Sequence, residues 1–110
     1  MIQNITVEEG KKLVDENKNN SDFVILDVRT KDEFDSGHLE NAVNLDFYSP
    51  GFTEKIKEMD KNKRYLVHCQ KGGRSSAAVE KVMKPLEFEN LYNMEGGFGD
   101  WEAKGYQIKK

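Results

Sequence analysis

Two uninterrupted apolar runs, Phe23-Val-Ile-Leu26 and Tyr65-Leu-Val67, constrain this chain more than any other feature. Both are too short for a helix of ordinary length and show no in/out alternation. Side chains of a strand point alternately to its two sides, so an unbroken apolar strand must be covered on both. That condition is met by a parallel sheet sandwiched between helices. Neither run is nearly long enough to span a bilayer.

The remaining segments supply the helices. Thr6 and Glu9 have the spacing of a capping box ahead of a helix over Val7–Asn17, although Gly10 weakens that helix. Thr30 caps a short helix through Phe34, with Asp32 and Glu33 at its positive end and Gly37 as its stop. Phe52, Ile56 and Met59 mark a third helix, and Ala78, Val79, Val82, Met83 and Leu86 a fourth that starts near Ser75 and stops near Pro85. Strands are expected at Ile2–Ile5 (an edge), Phe23–Val28, Ala42–Leu45, Tyr65–His68 and Leu91–Met94, before a short segment around Trp101. Trp101 and Tyr92 read as core aromatics, Arg64 as surface, and Lys109 and Lys110 as a solvated tail. Alternation of strand and helix gives an α/β fold occupying residues 1–110 as one domain.

Composition limits the function. Leu, Ile, Val and Phe make up 26 of the 110 residues, above the share of about 20% below which a highly charged chain stays unfolded. The net charge is -3, so no basic excess draws nucleic acid or an anionic membrane. Met1–Thr6 lacks a basic segment followed by an apolar one, so no signal peptide is expected and the compartment is read as cytoplasmic. A single cysteine excludes an internal disulfide and a multi-cysteine zinc site. No motif for a metal or cofactor is present.

That cysteine lies where chemistry is expected. In His68-Cys69-Gln70-Lys71-Gly72-Gly73-Arg74-Ser75 a buried strand ends, a loop opens with Cys69, and a helix begins. Sites in parallel sheets form at the carboxyl ends of strands. Gly72 and Gly73 let the backbone curl, so that loop N–H groups and the helix start form an anion cradle in which Cys69 is held as thiolate. Lys71 and Arg74 add positive charge within the same few residues. The chain has 14 lysines but only three arginines, and two of these, Arg29 and Arg74, follow strand ends on one edge of the sheet. Arg29 either pairs with a neighbouring carboxylate or is solvated. His68 reads as a structural hydrogen-bonding residue pointing away from Cys69, and His38 as a residue fixing the turn before Asn41.

Four motifs then occur in order: Asp27-Val-Arg29 with Glu33 and Phe34; Gly37-His38-Leu39 with Asn41-Ala42-Val43-Asn44; Cys69-x-x-Gly72-x-Arg74-Ser75; and Gly96-Gly97-x-x-x-Trp101. Together they make the chain similar to single-domain rhodaneses, sulfurtransferases of the thiosulfate type. The resemblance implies a five-stranded parallel sheet with helices on both faces. It implies Cys69 as the persulfide-forming residue, Gln70, Lys71, Gly72, Gly73 and Arg74 as its cradle, and Asp27 and Arg29 as supporting residues. The implied partners are a small anionic sulfur donor and a thiol, cyanide or protein acceptor.

Two other classes are weighed against this reading. Cysteine phosphatases, some of which share the fold, place five residues between cysteine and arginine to surround a phosphate. Here there are four, Gln70–Gly73, and the smaller ring suits a single sulfur. A non-catalytic binding module usually lacks the cysteine, which this chain has, though a sulfur-carrier domain would keep it.

Overall fold

The computed structural model covers residues 1–110. In chain order the elements are β1 (Ile2–Ile5), α1 (Val7–Glu16), β2 (Phe23–Asp27), α2 (Lys31–Ser36), β3 (Val43–Asn44), α3 (Phe52–Lys57), β4 (Arg64–His68), α4 (Gly73–Ala77) running into a π-helical stretch (Ala78–Met83), β5 (Asn90–Met94) and α5 (Gly97–Ala103). The five strands form one parallel sheet in the order β1-β5-β4-β2-β3. The expected α/β architecture is therefore present, with β1 at an edge and β4 at the centre.

Each unbroken apolar strand is divided between two cores. Leu26, Val28, Tyr65, Val67 and Leu91 pack with Phe52 and Ile56 of α3 and with Ala78, Val79 and Met83. Ile25, Leu66, Tyr92 and Met94 face the other way, onto Val7 of α1 and Phe98 and Trp101 of α5. Burial on both faces is the physical reason that the strands show no polar alternation. Gly10, unfavourable in a helix by itself, is buried on this second face, where a Cβ would come within 2.5 Å of Met94 Sδ.

Local signals set the helix starts. Both Thr6–Glu9 and Thr30–Glu33 form reciprocal capping boxes, each satisfying two otherwise unpaired N–H groups. One segment departs from expectation. Ala78–Met83 is π-helical rather than α-helical, and Lys84 N–H reaches back five residues to Val79 C=O at 2.8 Å. Ala78, Val79 and Met83 are fully buried on this wider turn, while Val82 is only half-buried. Apolar spacing of three and four residues fits either helix, so the sequence cannot distinguish them.

Two surface expectations also change. Arg64 is half-buried, lying over the Phe23 ring at 5.4 Å and donating to Asn17. The end of the chain is tied down: Lys109 pairs with His38 in an antiparallel bridge, with N–H···O distances of 2.8 and 2.7 Å. No helix is long and apolar enough to cross a membrane.

Ile56 anchors α3 to the sheet and is fully buried in the core that also holds Val28 and Cys69, but it takes no part in the hydrogen bonds of the cysteine loop. Ile56→Ala is expected to cost about 2–5 kcal/mol of stability by leaving a cavity. Urea denaturation checks the loss, and alkylation of Cys69 in the folded variant should proceed as in the parent.

Candidate active site

Cys69 follows the last residue of β4, the central strand, at the carboxyl end of the sheet. The register of a parallel ladder ends there: Val28 N–H donates to His68 C=O at 3.0 Å, and the chain then leaves the sheet. Alternation places Cys69 with Tyr65 and Val67, on the face covered by α3 and α4, and His68 on the opposite face. The loop from Gln70 curls back at Gly72, whose φ of +127° lies where glycine is favoured.

The curl brings backbone donors to sulfur. Gly72 N–H donates to Cys69 Sγ at 3.0 Å. Burial of Cys69 raises the thiol pKa, but the Ser75 N–H and hydroxyl and the N–H groups of Gly72 and Lys71 outweigh it. The net effect holds Cys69 below the ordinary thiol range. In the sequence Ser75 reads as the start of a helix and the last residue of the cysteine motif, with no contact to sulfur assigned to it. It is fully buried, and its one hydroxyl proton, turned to Gly72 C=O at 3.1 Å, closes the loop upon itself; rotated to the other side, it serves the sulfur.

The other expected site residues fall into two further groups. Asp27 and Arg29 form a buried ion pair at the end of β2. Arg29 Nε lies 3.0 and 3.1 Å from the two carboxylate oxygens and Nη2 2.8 Å from Oδ2. Of the two readings left open for Arg29, pairing is the one observed. Nη2 also donates to Gly37 C=O at 2.7 Å, Nη1 to Gln70 Oε1 at 3.2 Å, and the guanidinium stacks over Phe98 at 4.2 Å. Gln70 thus turns its side chain to Arg29 and away from sulfur. Arg74 forms the third group, gripping both carboxylate oxygens of Glu33 at 2.7 and 3.0 Å, with Tyr48 5.9 Å away. Lys71 and Gly73 are exposed, and the Lys71 side chain makes no ion pair.

Glu33, read in the sequence as an acid at the start of α2, and Asn44, read as a strand residue, have long-range partners that the sequence did not assign. Asn44 Nδ2 donates to the carbonyls of Asp27 and Arg29, both at 3.0 Å, which fixes the bend after β2. His38 stacks on Phe34 at 3.9 Å and donates from Nδ1 to Phe34 C=O, so its side chain fixes the end of α2 and not the turn before Asn41. From below, α5 clamps the loop: Phe98 N–H donates to Cys69 C=O at 2.8 Å and Gly99 N–H to Gln70 C=O at 2.9 Å. Gly97 makes this approach possible. At its φ of +56° a Cβ would collide with the Cys69 carbonyl oxygen and lie 2.8 Å from the Gln70 carbonyl.

The arrangement matches a family model described as the Rhodanese-like domain over residues 6–104. The chain belongs to this family. Among curated relatives, the thiosulfate sulfurtransferase GlpE of Coxiella burnetii is 35% identical over 82 residues, 74% of this chain and 74% of that protein. A rhodanese-related protein from Thermoplasma volcanium superposes with a TM-score of 0.80 at 31% identity, covering 97% of each chain. A rhodanese-like domain protein from Staphylococcus aureus gives a TM-score of 0.76 at 28% identity, over 98% of this chain and 99% of that one. In this rhodanese-like domain the cysteine loop is thus seated between a central strand and α5.

The Glu33–Arg74 pair should appear in the pH dependence of stability. The hydrogen bond from Arg74 holds Glu33 down to about 2, against partial burial and with help from Thr30. A carboxylate depressed in the folded state stabilises above its unfolded pKa of about 4.3, and that stabilisation is lost as the pH falls toward 2. Because Glu33 is one-third exposed, screening limits the effect to about 1 kcal/mol. Glu33→Gln should therefore be less stable than the parent by this amount at pH 6, and the gap should close as pH approaches 2. Denaturant titrations across that range read both values. Gly97→Ala should cost about 1–2 kcal/mol from its left-handed backbone alone and should also raise the pH midpoint of Cys69 alkylation by pushing the loop off α5.

Proposed function

We propose that this rhodanese-like domain is a sulfurtransferase that carries sulfane sulfur on Cys69, with thiosulfate or a similar anion as donor. The observation that carries this reading is the cysteine sulfur held by the Gly72 N–H at 3.0 Å, within a loop whose N–H groups favour the anion. The GlpE relative, named a thiosulfate sulfurtransferase, supports the donor class.

In the first step the Cys69 thiolate attacks the outer sulfur of thiosulfate. The new S–S bond forms as the bond to the sulfonate sulfur breaks, and sulfite leaves with that bond's electron pair. The product is a Cys69 persulfide anion, which the loop amides hold in place of the thiolate. In the second step a thiol, cyanide or a protein acceptor attacks the outer sulfur, and Cys69 returns as thiolate. Both steps are nucleophilic displacements through one covalent intermediate, and no redox partner or metal is required to balance them.

A lower thiol pKa contributes only part of the rate. It raises the thiolate share, but nucleophilicity falls with pKa at a Brønsted slope of about 0.4–0.5, which removes much of the gain. The larger contribution comes from amides already aimed at the position where charge resides before and after transfer. Lys71, exposed and without an ion-pair partner, supplies the positive charge at the mouth, since Glu33 already occupies Arg74.

Intact mass after mixing with thiosulfate tests this directly. One added sulfur atom per chain is expected, removable by cyanide and absent in Cys69→Ser. Failure to form the adduct in the parent, together with Cys69-dependent hydrolysis of an aryl phosphate, would replace sulfur transfer with phosphatase chemistry.

A further inference from the structure

Beside the nucleophile lies a fully buried imidazole that the proposed chemistry does not use. His68 Nδ1 lies 3.0 Å from the Cys69 carbonyl oxygen, while Nε2 has no hydrogen-bond partner and stands 3.7 Å from Asp27 Oδ2. A carbonyl only accepts, so the Nδ1 contact is a hydrogen bond only if Nδ1 carries the proton. The Nε2 contact is too long to be one. Burial, aided by Arg29, keeps the ring neutral despite Asp27 and the carbonyl, which favour the charged form. Asp27 itself is already occupied by Arg29. The ring is therefore a neutral Nδ1–H donor aimed at one carbonyl.

That carbonyl is the first to leave the sheet, and no strand partner receives it. Its two donors are Phe98 N–H at 2.8 Å and His68 Nδ1 at 3.0 Å. The peptide unit between Cys69 and Gln70 is planar and trans, so fixing its C=O on one side turns the Gln70 N–H to the other. The path of the loop toward Lys71, Gly72 and Ser75 starts from that plane. We propose that His68 is a positioning residue for the nucleophile: its Nδ1–H, with Phe98 N–H, locks the first peptide plane of the loop so that the following amides converge on Cys69 sulfur. It takes no proton from substrate and touches none. The inference rests on Cys69 being the reactive group, and it does not depend on which donor supplies the sulfur.

Three variants separate hydrogen bonding at Nδ1 from simple filling of space. His68→Phe keeps a ring and removes both nitrogens. His68→Asn places an amide N–H where Nδ1 was, whereas His68→Gln places it nearer the Nε2 position. Alkylation of Cys69 by a neutral reagent is followed against pH in the sulfur-free protein, and thiosulfate kinetics are measured alongside. His68→Phe should raise the alkylation midpoint by about one unit, which is about tenfold less thiolate below the midpoint. It should lower kcat about tenfold with the KM for thiosulfate nearly unchanged. His68→Asn should recover most of both losses and His68→Gln should not. A phenylalanine variant that is folded and keeps the parent midpoint overturns the proposal, and so does rescue by glutamine equal to that by asparagine. If the phenylalanine variant does not fold, nitrogen NMR of the imidazole in the parent decides: a proton on Nδ1 supports the proposal, and a proton on Nε2 alone overturns it. Loss of the sulfur adduct in the parent would count against sulfur transfer and leave the alkylation midpoints and the nitrogen NMR, which need no sulfur donor, intact.

Discussion

The buried pair of Asp27 and Arg29 joins more of this molecule than any other contact. Removing both charges from water costs several kcal/mol per ion, so such a pair persists only where its remaining hydrogen bonds are satisfied. Here the guanidinium reaches its carboxylate, the Gly37 carbonyl, the Gln70 amide and the Phe98 ring. Those partners belong to β2, the end of α2, the cysteine loop and α5. One side chain thus fixes the mutual placement of four elements whose sequence positions are far apart. Loss of either partner would leave an unpaired charge in a dry place, a cost of about 3–5 kcal/mol. A lysine in place of Arg29 would keep the charge and lose the planar fork that serves these acceptors together.

Around this pair the site is built in layers with separate tasks. The sheet and its two cores carry the load of stability. The Asp27–Arg29 layer and α5 hold the carbonyl side of the loop, while the amide side is left for sulfur. Arg74 and Glu33 brace the rim. In this division the polar environment of the Cys69 sulfur is made largely of backbone N–H groups, and the side chains hold that backbone in shape. Gly97 belongs to the same logic, because a clamp this close to a carbonyl leaves no volume for a Cβ.

The fold was legible because its strands are short, apolar on both sides and separated by helices with clear caps. Thr6 with Glu9, and Thr30 ahead of its helix, announced helix starts from four-residue patterns alone. Cys69 was legible for the same reason, since a glycine-bearing loop between a buried strand and a helix is a local signal. What escaped was long-range or degenerate. Arg74 is 41 residues from Glu33, and no local pattern says that its charge is already taken. The π-helical turn hides behind apolar spacing compatible with two helix types. Asn44 and His68 look like ordinary polar residues until their carbonyl partners are known. Elements that depend on neighbours in sequence were readable, and those that depend on neighbours in space were not.

The antiparallel bridge between Lys109 and His38 changes what the end of the chain means. It fastens the residue that follows Gly37, and the Gly37 carbonyl is one of the acceptors of Arg29. Arg29 in turn holds Gln70, the neighbour of Cys69. Sequence distance from Cys69 is therefore a poor guide to independence from it. A fusion joint or affinity handle grafted directly behind Ile108 would not sit on neutral ground, because its first residue would have to take up the extended backbone that pairs with His38. Placed after a spacer that lets Lys109 keep its bridge, the same addition leaves the scaffold of the cysteine loop undisturbed.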